Sequence, residues 1–152
     1  VLDLCCGDCR LVQHLPEGIV YIGLDANPRF VKFARRKGLD VRLGDVAIDP
    51  WPEADYVIMM GSLYQFMPHQ DLLLKRMLGA ARRRVILCES VRHLATSPHP
   101  WVAFLGRKFS NPVGGPSLHR LGREEMTTLF QDHGASRVLD LGRDLIGVFD
   151  IR

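Results

Sequence analysis

Asp3, Cys5, Cys6, Gly7 and Cys9 fall within one short stretch, VLDLCCGDC, at the start of the chain. Two chemistries suit that composition. Cys6-x-x-Cys9 has the spacing of a redox dithiol or of half a zinc site. Alternatively, the stretch is a turn that holds a ligand against its backbone, with Gly7 kept and cysteines standing where glycines are usual. A structural zinc needs two further ligands, and the sequence has no second C-x-x-C and no paired histidine motif. The remaining cysteine, Cys88, is expected on a strand roughly 10 Å from the first one, two strand spacings away. Small buried thiols are the favoured reading over redox or metal chemistry.

Acids recur at the ends of apolar runs. Asp25 closes IVYIGLD, Asp45 follows VRLG, and Glu89 nearly closes RVILCES. The elements that must position them alternate. Val1–Leu4 reads as a first strand, followed by a helix from about Asp8 to Leu15 and a second strand ending on Asp25. Asn27 can cap the next helix, Pro28 suits its first position and Gly38 its exit, with Phe30, Val31 and Ala34 as its buried stripe. Leu39, Val41 and Leu43 alternate as a third strand. ADYVIMM is a fourth, apolar on both faces and so central. A helix over about His69–Ala81 carries Leu72, Leu73, Met77 and Leu78, and the fifth strand follows.

Residues 91–120 break this rhythm with Pro98, Pro100, Pro112 and Pro116, and are expected to form an irregular substrate loop or lid. A helix over about Gly122–Asp132 then leads to two strands, Arg137–Leu141 and Leu145–Ile151. Their short link cannot hold a crossover helix, so they must be antiparallel. The expected fold is α/β, a doubly wound, mostly parallel sheet ending in a β-hairpin, in a single domain over residues 1–152.

Composition agrees with one globular domain: 152 residues, 47% hydrophobic and 24% charged. No apolar run nears the roughly 20 residues that span a bilayer, and nothing reads as a signal peptide. The chain begins at Val1 inside a strand-like run, so a preceding N-terminal segment is expected. The cysteine usage suits a reducing cytoplasm. A net charge of +3 is mild. The clusters Arg35-Arg36-Lys37, Lys75-Arg76 and Arg82-Arg83-Arg84 fall in or just after the last turns of predicted helices, with no interleaved aromatics, so no nucleic-acid partner is expected.

In open α/β sheets ligands sit outside the carboxyl ends of the strands. Those ends carry Asp3 and the Cys5–Cys9 turn, then Asp25, Asp45, Gly61–Tyr64, and finally Glu89 with Ser90. Asp25 is placed to accept from ribose hydroxyls, and Asp45 from an adenine amino group with Val46 packed on the base. The ordered stretches VLDLCCGDC, YIGLDANPRFVKFAR, VRLGDV, ADYVIMMGSLYQF and RRVILCES resemble the motifs of class I S-adenosylmethionine-dependent methyltransferases. Within that family they look most like the small-molecule branch of the ubiquinone and menaquinone biosynthesis enzymes. The resemblance implies a seven-stranded sheet with an antiparallel last strand, S-adenosylmethionine as cofactor, and a small-molecule or lipid-like acceptor.

It also implies roles. Asp3 would orient the turn and contact the cofactor's amino group, while Cys5 and Gly7 would lie against its methionine and ribose portions. Asp25 with Ala26 would hold the ribose, Asp45 with Val46 the adenine, and Gly61, Ser62 and Tyr64 would flank the sulfonium and the acceptor. The family usually has glycines at Cys5 and Cys9, and many members carry a histidine pair where this chain has Tyr64-Gln65. Replacing glycine costs little at negative φ but about 1 kcal/mol or more at positive φ. A pyrophosphate must nearly touch the backbone, so missing glycines weigh against a nicotinamide dinucleotide more than against a phosphate-free cofactor.

A base is needed only if the acceptor keeps its proton until attack. The candidates are Tyr64, His69, Glu89, His93 and His119, with Tyr64 and His119 favoured. Trp101, Phe104 and Phe109 can line an apolar acceptor pocket. The main rival is a degenerate domain that keeps the fold and serves binding or regulation. A nicotinamide-dependent oxidoreductase comes third. The acceptor atom and the oligomeric state are not legible in the residues.

Overall fold

The computed structural model describes residues 1–92 and 120–151. Seven strands form one sheet: β1 Leu2–Leu4, β2 Ile22–Asp25, β3 Val41–Leu43, β4 Ala54–Met60, β5 Ala81–Ser90, β6 Arg137–Asp140 and β7 Asp144–Asp150. Their spatial order is β3-β2-β1-β4-β5-β7-β6. β1 to β5 run parallel, whereas β7 lies antiparallel between β5 and β6. This is the doubly wound sheet with terminal hairpin expected from the sequence, and β4 is its middle strand. Order reverses between β1 and β4, which places the crevice for a ligand at the carboxyl end of β1.

Helix α1, Pro28–Arg36, begins as its residues dictate. The Asn27 side chain accepts from the Arg29 N–H at 3.0 Å, and Pro28 occupies the first turn. Val31 and Ala34 are buried, but Phe30 is 41% exposed, so Phe30 does not belong to the packed stripe. A similar slip occurs in α2, Gln70–Ala80. Leu73, Leu74 and Met77 face the core while Leu72 points outward, because a run of adjacent leucines leaves the phase of the helix open.

Two other expectations change. The segment after β1 is a 3-10 helix, Arg10–His14, with no buried residue. Cys9 ahead of it is left-handed, and Pro16 follows closely, leaving no room for an α-helix. Arg82–Arg84 come just after α2 as expected, but β5 begins at Ala81 and not at Arg84, so all three arginines lie in the strand. Ala81 is already extended, and Arg84 pairs with Asp150 at 2.6 Å and Arg82 with Glu53 at 3.3 Å.

The main core lies over β1, β4, β5 and β7, capped by α2 and by α3, Arg123–Asp132. Phe130 meets the edge of Phe149 at 5.9 Å between centroids. Gly147 permits this contact, since a Cβ there would stand 2.9 Å from the Phe130 ring. At the far edge, β3 is short, and the Arg35 guanidinium donates to the outward Val41 carbonyl at 2.7 Å, which blunts strand addition there. Among the described residues, no helix is long and apolar enough to cross a membrane.

Candidate functional site

The turn after β1 is built on left-handed backbone. Cys5, Gly7 and Cys9 have φ of 55°, 53° and 59°. Gly7 suits this, and a Cβ there would meet nothing within 4 Å, so space opens in front of it. The two cysteines occupy conformations that cost an L-residue about 1–2 kcal/mol each. Their small size therefore does not make the replacement free, because the sign of φ, not the volume, sets the cost. Cys6 and Cys9 are buried, with their thiols in contact, and burial pushes the Cys6 thiol up. Burial, with Asp25 and Asp3 nearby, pushes the Cys5 thiol up to about 12, against a hydrogen bond shared with Ser62. Neither Cys5 nor Cys6 is the activated thiolate that redox work requires.

What holds the turn is Asp25. Its Oδ2 accepts from the Gly7 N–H at 2.8 Å and its Oδ1 from the Asn27 N–H at 2.8 Å. A carboxylate offers about four acceptor sites, so each oxygen keeps capacity for a further donor. Ala26 beside it is exposed. Asp3, only 4% exposed, accepts from the Tyr21 hydroxyl at 2.8 Å. Burial pushes its carboxyl up to about 6; the Tyr21 bond pulls the other way and the Asp25 charge adds to the rise. Asp3, Cys5, Gly7, Arg10, His14 and Met60 line a cavity of about 340 Å³.

Asp45 follows β3 and is exposed. Its Oδ1 accepts from the Ala47 N–H at 2.8 Å, and its own N–H donates to Asp49 Oδ2 at 2.7 Å. Val46 corrects an expectation: it is 2% exposed and packed in the main core, so its side chain is committed there and is not open to a base. Arg76 of α2 fixes this segment, donating to the carbonyls of Val46, Ala47 and Asp49 at 2.9, 2.7 and 2.8 Å while lying 4.1 Å over the Trp51 ring.

After β4, Gly61 is exposed with its N–H on the Cys88 carbonyl at 2.8 Å, and Ser62 is buried. Tyr64 is half-buried under the Arg120 guanidinium, 3.6 Å from its ring. Glu89 is 3% exposed and accepts from the Leu63 N–H at 2.7 Å and the Ser90 N–H at 3.3 Å. Burial raises its carboxyl, partly offset by those N–H groups and by Arg120. Glu89 thus serves as a tie for the loop and not as an open base. His69 stands exposed ahead of α2. His93, His119, Trp101, Phe104, Phe109 and most of the expected 91–120 lid lie outside the described residues.

Sequence reasoning missed Tyr21, Arg76 and Arg120. Tyr21 alone had a signal, since Tyr21, Gly23 and Asp25 share a face at period two. Arg76 acts on a segment 27–30 residues away, which spacing does not reveal.

Residues 1–95 match the sequence family described as "Methyltransferase domain". The chain is a class I S-adenosylmethionine-dependent methyltransferase domain. It is 30% identical over 112 residues to the trans-aconitate 2-methyltransferase of Mycobacterium tuberculosis (strain ATCC 25177 / H37Ra), covering 71% of this chain and 43% of that protein. It therefore spans less than half the length of the curated relatives it matches. Two solved structures share the methyltransferase fold. Magnesium protoporphyrin IX methyltransferase from Synechocystis PCC 6803 with bound SAH has a TM-score of 0.67 at 17% identity, over 99% of this chain and 73% of that one. The PH0226 protein from Pyrococcus horikoshii OT3 has a TM-score of 0.71 at 18% identity, over 99% and 81%.

Proposed function

We propose that this methyltransferase domain transfers a methyl group from S-adenosylmethionine to a small-molecule acceptor. One observation carries the reading: the acids Asp3, Asp25 and Asp45 stand at or beside the carboxyl ends of three adjacent strands, around a turn whose Gly7 leaves open space. The donor set fits the cofactor. Asp25, prefixed by two backbone N–H groups, holds the ribose hydroxyls with its spare acceptor sites. Asp3 takes the amino group, Cys5 and Gly7 lie along the chain between, and Asp45 takes the adenine amino group with Ala26 and the backbone at Val46 alongside.

The cofactor, when bound, supplies a methyl group already activated on a sulfonium. The protein's part is to orient an in-line transfer. Gly61, Ser62 and Tyr64, tied down by Glu89, form the wall from which the acceptor approaches. Acceptor chemistry decides whether a base is needed. A carboxylate is ionised at neutral pH and needs none; a hydroxyl acceptor would call on Tyr64 or His119. The relatives named for trans-aconitate support a small carboxylic acid, and Arg120 over Tyr64 places a cation beside that wall. The motif likeness to the quinone-biosynthesis branch supports a lipid-like acceptor instead. The carboxylic acid is favoured here.

Calorimetry with S-adenosylhomocysteine tests the cofactor reading: binding is expected, with a loss of about 100-fold in Asp25→Ala. No binding, or binding unchanged in that variant, rejects it. Methyl incorporation across a panel of di- and tricarboxylic acids and isoprenoid quinols then tests the acceptor class. The left-handed cysteines favour one second reading, a domain that keeps the fold for binding or regulation. Turnover on any acceptor excludes it.

A further inference from the structure

Asp3 and Tyr21 meet across a gap that the sheet keeps open. β1 and β2 are parallel, with Asp3 opposite Gly23 and Leu2 opposite Ile22. Tyr21 precedes Gly23 by two residues and so shares its face and that of Asp3. Gly23 contributes no side chain to that face. A Cβ there would stand 3.2 Å from the Tyr21 hydroxyl and 2.8 Å from Cys6 Sγ. The tyrosine therefore reaches over the glycine and donates to Asp3 Oδ2 at 2.8 Å, while the carboxylate also lines the cavity before Gly7.

We propose that Tyr21 is a positioning residue for cofactor binding: its hydroxyl, passing over Gly23, holds the Asp3 carboxylate aimed and ionised toward the cofactor's amino group. This rests on the reading that Asp3 receives that group. The physical need is plain. A carboxylate 4% exposed resists ionisation, and only its charged form pairs with an ammonium. Tyr21 is the donor that offsets the burial. The other titratable or charged groups facing Asp3 are Asp25 of β2, Cys5, Cys6, Asp8 and Cys9 of the turn, and Arg10 and His14 of the 3-10 helix; β4 offers Met60, which carries no charge.

The sign follows from the direction of the shift. The Asp3 carboxyl sits at about 6, so affinity for a ligand bearing an ammonium rises as pH passes upward through that value. Removing the hydroxyl deletes a lowering influence and moves the midpoint higher.

The test is S-adenosylhomocysteine affinity from pH 5 to 8 in the parent and in Tyr21→Phe, with 5′-methylthioadenosine, which lacks the amino group, as the control ligand. The parent is expected to gain affinity with a midpoint near 6, and Tyr21→Phe to show the same rise displaced upward, about tenfold weaker per unit of displacement between the two midpoints. The control ligand should show neither effect. Site-specific fluorotyrosine at position 21, a stronger donor of nearly the same shape, should move the midpoint down. Superimposable profiles, or an equal loss at every pH and for both ligands, overturn the proposal while leaving the cofactor reading standing. Absence of S-adenosylhomocysteine binding to the parent at every pH overturns both.

Discussion

The two halves of the sheet are fixed by different means. Strands β1, β2 and β3 have three, four and three residues, whereas β4, β5 and β7 have seven, ten and seven. The long strands bury Val57, Met59, Val85, Leu87, Leu145 and Phe149 in one apolar mass. The short ones add Leu2, Leu4 and Leu24 to that mass, but they end within three or four residues and leave the turns beyond them outside it. There, polar ties take over: Asp25 on Gly7 and Asn27, and Arg76 on three carbonyls past Asp45. The half that must meet a polar cofactor is thus assembled from groups that can also serve it, while the hairpin half supplies stability. Substitutions in the two halves should therefore separate into losses of folding and losses of binding.

The largest effect is expected in the hairpin half. Phe130→Ala removes the ring that packs on Gly147 and Phe149, and should cost about 3–5 kcal/mol of unfolding free energy in denaturant titration. A cost below about 1 kcal/mol would mean that the core over β7 does not carry the stability. Next comes Asp25→Ala in the polar half. It loses two charge-assisted bonds of about 1.5–3 kcal/mol each, besides those we propose it makes to the ribose. Cofactor affinity should fall about 100-fold or more by calorimetry, with the turn loosened but the hairpin amides still protected from hydrogen exchange. If those amides lost protection equally, the halves would be one cooperative unit and the division between them would fail.

How much of this was legible follows the same division. The strands were readable because burial leaves long apolar runs, and the acids because strand ends are where such runs stop. Phase was not fully readable where apolar residues crowd: Val31 and Ala34 are buried as expected, but Phe30 and Leu72, assigned inward, are exposed, and Leu74 is buried instead of Leu72. The start of β5 was placed at Arg84, three residues late, because charge masks a strand; the ion pairs of Arg82 with Glu53 and Arg84 with Asp150 accommodate basic residues in that pleat. The polar ties were the least legible part. Tyr21 acts through the cross-strand register of Gly23, and Arg76 through a fold-back across two elements, neither of which is a spacing in the chain. The sign of φ at Cys5 and Cys9 is likewise set by turn geometry, so their cost could be stated only conditionally beforehand.

Asp3 offers a test that sharpens the contrast, since here function opposes folding. Its carboxyl is raised from 3.8 to about 6, so the folded state binds the proton more tightly than the unfolded state. The stability it contributes is fully present below about pH 3.8 and is lost as pH rises through about 6. The shift corresponds to roughly 3 kcal/mol above both values. Asp3→Asn keeps an acceptor for Tyr21 without the charge, so it should raise stability at pH 7 by up to about 2–3 kcal/mol and flatten the pH dependence between 4 and 6. S-adenosylhomocysteine affinity at pH 7 should fall in the same variant. A variant that gained stability and kept full affinity would remove Asp3 from the binding machinery.

The smallest expected effect concerns the cysteines. Cys5 at φ 55° carries the strain of a left-handed L-residue, offset in part by a side chain that packs against the main core and a thiol that shares a hydrogen bond with Ser62. Glycine relieves about 1–2 kcal/mol of strain but adds freedom to the unfolded chain, worth about 0.4–1 kcal/mol in the other direction. Once the lost packing and the Ser62 bond are counted, Cys5→Gly should stabilise by no more than about 1 kcal/mol, with cofactor affinity equal or slightly improved. Cys9→Gly shares the strain but gives up a side chain only 3% exposed that contacts Cys6 and Tyr21, so its gain should be smaller or reversed. If Cys5→Gly instead weakened binding while stabilising the fold, the thiol would be contacting the cofactor directly. The cysteine would then be retained for that contact, at the expense of backbone strain.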